Sequence, residues 1–155
     1  MKRAILVLTM LISVAYGQKT SKWGFKVGLV SPIPVDIQMQ SKVQLRSCLG
    51  EISYKLSKKI DATFNPGYLM FTFRNVEGFE NTVALGGLRY NINNIYFGAT
   101  AGPSWWSENI NDNSLLWSPY VGVKGKAISV DLRYFNWRKV ENTANTLGIV
   151  VSALL

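Results

Sequence analysis

The sequence predicts an all-β fold, an eight-stranded antiparallel up-and-down transmembrane β-barrel, and three observations carry that prediction. Eight strand-like segments follow a short apolar leader. Tight and long connections join them alternately. Along most segments, apolar and polar side chains alternate. An even strand number, with short turns at one end and longer loops at the other, is the pattern of a barrel that crosses a bilayer with strands.

The leader is set aside first. Lys2 and Arg3 form a charged start, and Ala4 to Val14 form an apolar run broken only by Thr9 and Ser13. Ala15-Tyr16-Gly17 places small residues where a signal peptidase reads, so cleavage is expected before Gln18. Residues 1–17 are thus expected to be a signal peptide and residues 18–155 the β-barrel domain. The run is too short for a spanning helix of ~20 residues. Removing Lys2 and Arg3 leaves fifteen basic and nine acidic residues, a charge of +6. No other apolar run reaches ~20 residues, so a mature chain that spans a membrane must close into a barrel. Cys48 is the only cysteine, which excludes an intramolecular disulfide and lipid attachment near the cleavage point. Its thiol is expected to be buried or lipid-facing.

Successive strand residues point to opposite faces, so parity tests each element in turn. In the first segment, 22–30, Trp23, Phe25, Val27 and Leu29 oppose Gly24, Lys26 and Gly28. In the second, 44–56, Ile52, Tyr54 and Leu56 oppose Glu51, Ser53 and Lys55. The third, 60–73, places Ile60, Ala62 and Phe64 on one face and Leu69, Phe71 and Phe73 on the other. A bulge at Asn65-Pro66-Gly67 would restore its parity. The fourth segment spans 81–91. The fifth, 95–106, sets Ile95, Phe97, Ala99 and Ala101 against Tyr96, Gly98, Thr100, Gly102 and Ser104. The sixth spans 115–124. Pro103 and Pro119 are expected near loop ends, where a lost ladder bond matters least. The seventh, 127–137, opposes Ile128, Val130, Leu132 and Tyr134 to Ser129, Asp131 and Arg133. The last, 144–155, carries an unbroken apolar face of Leu147, Ile149, Val151, Ala153 and Leu155.

A soluble lipocalin-like barrel would alternate too, but with polar faces outside and an apolar cavity inside. Here the polar face holds Lys26, Glu51, Asp131 and Arg133 near mid-strand, while the apolar face carries no charge over that span. A charge on the lipid side at that depth would cost ~2–4 kcal/mol, so the polar face is expected to line the lumen. Charges buried there must pair. Lys26 with Glu51, Asp61 with Arg89, and Asp131 with Arg133 are the expected lumen ion pairs, a structural plug.

Tight turns fall at 57–59, 91–94 and 124–126, with Asn/Gly chemistry at the latter two. The longer links are 31–43, 74–80, 107–114 and 138–143. Phe71, Phe73, Trp105, Trp106, Trp117, Phe135 and Trp137 cluster by the long links, and Trp23, Tyr54 and Tyr90 by the turns. Two such groups are expected to be aromatic girdles at the membrane interfaces.

Histidine is absent, which removes His-based triads and the commonest metal ligand. No P-loop, zinc-spacing or dinucleotide motif is present, so no enzyme activity and no cofactor are expected. Lys19, Lys22, Lys58, Lys59, Lys124 and Lys126 collect at the turn end without stacking aromatics, so anionic lipid headgroups rather than nucleic acid are the expected partner.

The stretches Gly86-Gly87-Leu88-Arg89-Tyr90-Asn91-Ile92-Asn93-Asn94-Ile95-Tyr96-Phe97-Gly98 and Val121-Gly122-Val123-Lys124-Gly125-Lys126-Ala127-Ile128-Ser129-Val130, with the leader, resemble the small eight-stranded outer-membrane β-barrel proteins of Gram-negative bacteria. The resemblance covers the whole mature chain. It implies a barrel in the outer membrane, inserted by the barrel assembly machinery and in contact with outer-membrane lipids. Turns would be periplasmic and links extracellular. Such barrels usually end in an aromatic residue; this sequence ends Ala153-Leu154-Leu155. Deacylases and palmitoyl transferases of similar architecture rely on a catalytic His that is missing here. The expected role is structural or surface-interacting, as a monomer meeting a glycan or protein ligand through its loops. A soluble secreted or periplasmic lipocalin-like barrel binding a small apolar ligand, or a narrow pore, are the alternative readings.

Overall fold

Short turns between alternating segments dictate antiparallel neighbours, and the chain closes that pattern on itself. The computed structural model describes residues 22–33, 47–73, 76–106, 113–138 and 143–155. The strands are β1 (Trp23–Ile33), β2 (Cys48–Lys55), β3 (Ile60–Phe73), β4 (Val76–Ile92), β5 (Ile95–Trp106), β6 (Asn113–Lys124), β7 (Ile128–Arg138) and β8 (Thr143–Leu154). Each pairs antiparallel with its sequence neighbour, and β1 pairs with β8, so the sheet is a closed barrel without an edge. The fold class expected from the sequence is the one observed. The signal-peptide segment and Lys19 lie outside the described residues. Among those described, no helix is long and apolar enough to cross a membrane.

The turns explain the sharp reversals. Ser57 Oγ accepts from the amides of Lys59 and Ile60 at 3.2 and 3.0 Å, closing the β2–β3 turn. Asn93 takes φ 54°, the left-handed conformation a two-residue turn needs and Asn tolerates. The Gly125 amide donates to the Ile128 carbonyl at 2.7 Å in the β6–β7 turn.

Three expectations of detail are corrected. The segment expected as a long link at 74–80 is mostly strand, because β3 and β4 stay paired up to Phe73 with Val76, with one register shift between Phe71 and Phe73. Glu77, Gly78 and Glu80 give that segment a loop-like composition, but ladder bonds need only the main chain. The bulge expected at Asn65-Pro66-Gly67 is absent. Ile52 with Phe64 and Leu49 with Gly67 keep one register, and β3 pairs β4 without a shift from Ile60 to Phe71. Leu69 therefore faces inward with Asp61, Thr63 and Asn65, and is 0% exposed. The face does not change; the lumen does. Of the two prolines, Pro103 does lie near the link-side end of β5, but Pro119 does not sit near a loop end. Pro119 pairs with Ala99 within β6, and the ladder to β7 is interrupted there instead, between Trp117–Asn136 and Tyr120–Arg133. A strand with two neighbours can lose one bond on one side and keep the other ladder.

The outward face is apolar. Val27, Leu29, Phe64, Leu88, Phe97, Val121, Val130, Leu132, Ile149 and Val151 are exposed on it. Among the described residues, its charges, Glu80 and Arg138, fall toward the link end. Cys48 is also exposed on this face, beside Leu29 and Tyr68 in the ladder.

Candidate functional site in the barrel lumen

Inward register places Lys26, Glu51, Asp61, Arg89, Asp131 and Arg133 in the turn-side part of the lumen, and all six are buried. They are three cations and three carboxylates, so the buried set is neutral. Lys26 stands opposite Glu51, and Asp61 opposite Arg89, in the ladder register. Arg89 donates twice to Asp61 Oδ2, from Nε at 3.2 Å and Nη2 at 2.7 Å, and Asn91 Nδ2 adds a third bond at 3.0 Å. Arg133 donates to Asp131 Oδ2 from Nε at 3.3 Å and Nη2 at 3.1 Å.

Glu51 joins these pairs into one network. Its Oε1 lies 3.4 Å from Lys26 Nζ and also accepts from Arg89 Nη1, while its Oε2 is 3.5 Å from Arg133 Nη2. One carboxylate on β2 thus ties together cations from β1, β4 and β7 across the lumen. Charge-assisted bonds of this kind are stronger than neutral ones, and satisfying every charge is what makes their burial tolerable.

Two tyrosines complete the layer, and sequence reasoning did not single them out. The Tyr96 hydroxyl accepts from Lys26 Nζ at 3.3 Å and donates to Asp131 Oδ1. Lys26 Nζ lies 4.4 Å from the Tyr96 ring centroid, and the Arg133 guanidinium 4.1 Å from that of Tyr120, both within cation–π range. Each ring fits because a glycine faces it: Tyr96 pairs Gly122 and Tyr120 pairs Gly98 in the β5–β6 ladder. A Cβ at Gly122 would lie 2.6 Å from Asp131 Oδ1 and from Tyr96 Cζ, and one at Gly98 would lie 2.7 Å from Tyr120 Cζ. The sequence signal was the shared parity of Tyr96 and Gly98, which becomes readable once the register is known. Gly122→Val is expected to lower stability by about 1–3 kcal/mol through overpacking. Outward Gly86, with nothing within 4 Å of an added Cβ, is expected to accept alanine with little change. Urea-unfolding midpoints of the two variants check this.

Toward the links the lumen turns mainly apolar, with Ser47, Asn81, Ser104 and Ser114 buried alongside. Val30, Leu49, Leu69, Val83, Leu85, Leu116, Phe135, Trp137 and Val150 form one buried cluster. Phe135 and Trp137 are therefore not membrane-interface aromatics. They are 0% and 2% exposed, stacked at 5.8 Å between centroids. The reason is parity: they continue the inward series of Asp131 and Arg133 on β7.

The other expected interface aromatics divide by position. Trp23 and Tyr54 contact each other at 4.8 Å on the outward turn side, and Tyr90 packs on Phe97 at 5.3 Å. Trp105 and Trp117 are exposed toward the links. Trp117 Nε1 donates to Asn136 Oδ1 at 2.5 Å, so its indole N–H is satisfied on an otherwise apolar wall. The side chains of Phe71, Phe73 and Trp106 lie outside the described residues.

The chemistry of this arrangement is closure. An eight-stranded barrel is just wide enough for its side chains to fill. Here an ion-paired layer and an apolar layer fill it in series.

No family model matches the sequence, and no curated protein matches it. Solved structures do resemble it. The Yersinia pestis outer membrane protein Ail in a phospholipid bilayer nanodisc superposes with a TM-score of 0.63 at 10% identity, covering 87% of this chain and 99% of that one. The crystal structure of Ail, the attachment invasion locus protein of the same organism, gives 0.56 at 10% identity, covering 86% and 97%. A de novo designed transmembrane β-barrel gives 0.55 at 10% identity, covering 88% and 98%. Identity this low speaks of fold alone. The chain has the fold of the small eight-stranded outer-membrane β-barrels.

Proposed function

We propose that the chain is a monomeric, non-enzymatic outer-membrane β-barrel that serves envelope structure or surface interaction through its extracellular links. A single observation carries this reading: the barrel has its polarity reversed relative to a soluble one. The apolar wall faces outward, and the charges face inward into a neutral network of ion pairs. In lipid that arrangement leaves no sheet edge and no charge facing hydrocarbon across the apolar band. In water it would leave some twenty large apolar side chains solvated, a surface typical of an interface rather than a free soluble monomer.

The ion-paired layer and the buried apolar cluster that occupy the lumen argue against the narrow-pore reading. The strand ends at Ile33, Cys48, Trp106, Asn113, Arg138 and Thr143 lie at the end of the barrel opposite the turns, so this reading assigns partner contact to the links that join them. Removal of the signal peptide and insertion by the barrel assembly machinery of a Gram-negative cell belong to the same reading, as does glycan or protein contact through the links. Cells expressing the protein with an epitope inserted in the 107–112 link test it. Antibody is expected to reach the epitope on intact cells. Purified protein in planar bilayers is expected to give no discrete conductance steps. Labelling only after permeabilisation, or regular steps, would contradict the reading.

A further inference from the structure

We infer that the turn rim is an anionic-lipid contact, a collar that takes phospholipid headgroup phosphates from the leaflet it sits in. Lys22, Lys55, Lys58, Lys59, Lys124 and Lys126 all stand exposed at this end. The nine acidic residues lie elsewhere: Glu51, Asp61 and Asp131 are buried in the lumen, and Asp36, Glu77, Glu80, Glu108, Asp112 and Glu141 fall in or beside the links. The rim is therefore basic without a compensating exposed side-chain carboxylate among the described residues.

Two kinds of position contribute. Lys22, Lys55 and Lys124 continue the inward register of their strands, so they ring the lumen mouth. Lys58, Lys59 and Lys126 stand in the turns. Lys58 and Lys59 lie between exposed Leu56 and Ile60, and Lys126 between exposed Val123 and Ile128. The Ser57 side chain and the Lys59 carbonyl, which accepts from the Asn91 amide at 2.8 Å, fix the first of these turns.

The apolar neighbours select the partner. A soluble polyanion would meet the ammonium groups and leave Leu56, Ile60, Val123 and Ile128 in water. A bilayer surface satisfies both, because the apolar side chains enter the hydrocarbon edge while the long lysine stems lift their charges to phosphate level. The outward aromatics Trp23 and Tyr54 sit at the same end, at the depth where amphipathic rings favour the headgroup region. The exposed charge and the apolar wall thus meet at one boundary.

This inference rests on the membrane-spanning reading, and the test separates the two. The full mature protein is reconstituted in phosphatidylcholine vesicles with and without phosphatidylglycerol, and the lipid retained in its shell is measured after mild detergent extraction. At low salt the shell is expected to be enriched in phosphatidylglycerol by roughly fivefold or more. The enrichment is expected to shrink at high salt, as screened charges require. The variant K58E/K59E/K126E is expected to co-float with both vesicle types, keep its heat-dependent gel mobility and lose the enrichment. Folded, co-floating wild type with no lipid preference overturns the collar alone, as does equal enrichment by wild type and variant. Preferential capture of soluble polyglutamate with no phosphatidylglycerol enrichment overturns it in favour of a polyanion partner. Failure of the wild type to co-float with any vesicle overturns the membrane reading beneath it.

Discussion

Glu51→Gln is expected to destabilise the barrel by about 3–5 kcal/mol, the cost of leaving buried charge without its partner. The substitution keeps the shape of the side chain and removes only its charge. Three cations then face two carboxylates in the lumen. Arg89 keeps Asp61, and Arg133 keeps Asp131, but Lys26 loses its only carboxylate partner and keeps only neutral acceptors, the Tyr96 hydroxyl and the new amide oxygen. The deficit therefore falls chiefly on Lys26, which yields a second expectation. Adding Lys26→Met to Glu51→Gln restores neutrality and is expected to recover a large part of the loss. Urea unfolding in lipid vesicles measures both. If Glu51→Gln leaves the midpoint unchanged, Glu51 is not the hub the geometry makes it. If the double variant is weaker than the single one, the charge imbalance is not the cause.

Leu132→Arg is expected to cost about 2–4 kcal/mol in lipid, with the same magnitude expected as reduced insertion into vesicles. Leu132 lies near the middle of β7, faces outward and is 43% exposed, between Val121 and Ile149 in the ladders. Water would accept an arginine there with little cost, since surface substitutions are usually within about 0.5 kcal/mol. Hydrocarbon would not. The substitution thus reads the solvent of the outer wall directly. A variant that folds and inserts like the wild type would mean that the outward face does not meet lipid.

The extent to which this architecture was legible depends on what each residue could report alone. Strand number, closure and the outward series Val27 to Leu29, Phe97 to Ala101 and Ile128 to Leu132 follow from period-two alternation, which needs no partner strand to be read. The lumen charges were legible for the same reason, as charges on polar faces near mid-strand. The role of Glu51 was not, because its three cations come from β1, β4 and β7, and only closure brings those strands together. Leu69 misled because an inward apolar residue on a strand with polar inward neighbours looks like a change of face. The lumen instead has two chemistries, and the transition falls along β3 between Asn65 and Leu69. Phe135 and Trp137 carried the correct signal in their parity with Arg133. Their position at the strand end, beside other aromatics, suggested a girdle. Stacking inside the link-side lumen is what parity required.

The most direct test of a membrane-spanning barrel with a lipid-facing wall is its recovery and gel mobility from fractionated cells. The outer-membrane fraction of cells expressing tagged protein is run on SDS-PAGE with and without boiling. Recovery in that fraction, with a band that migrates differently before and after boiling, is the predicted result, because a closed and fully hydrogen-bonded barrel resists SDS until heated. Recovery in the periplasm or the medium, with a single mobility under both conditions, would contradict the account.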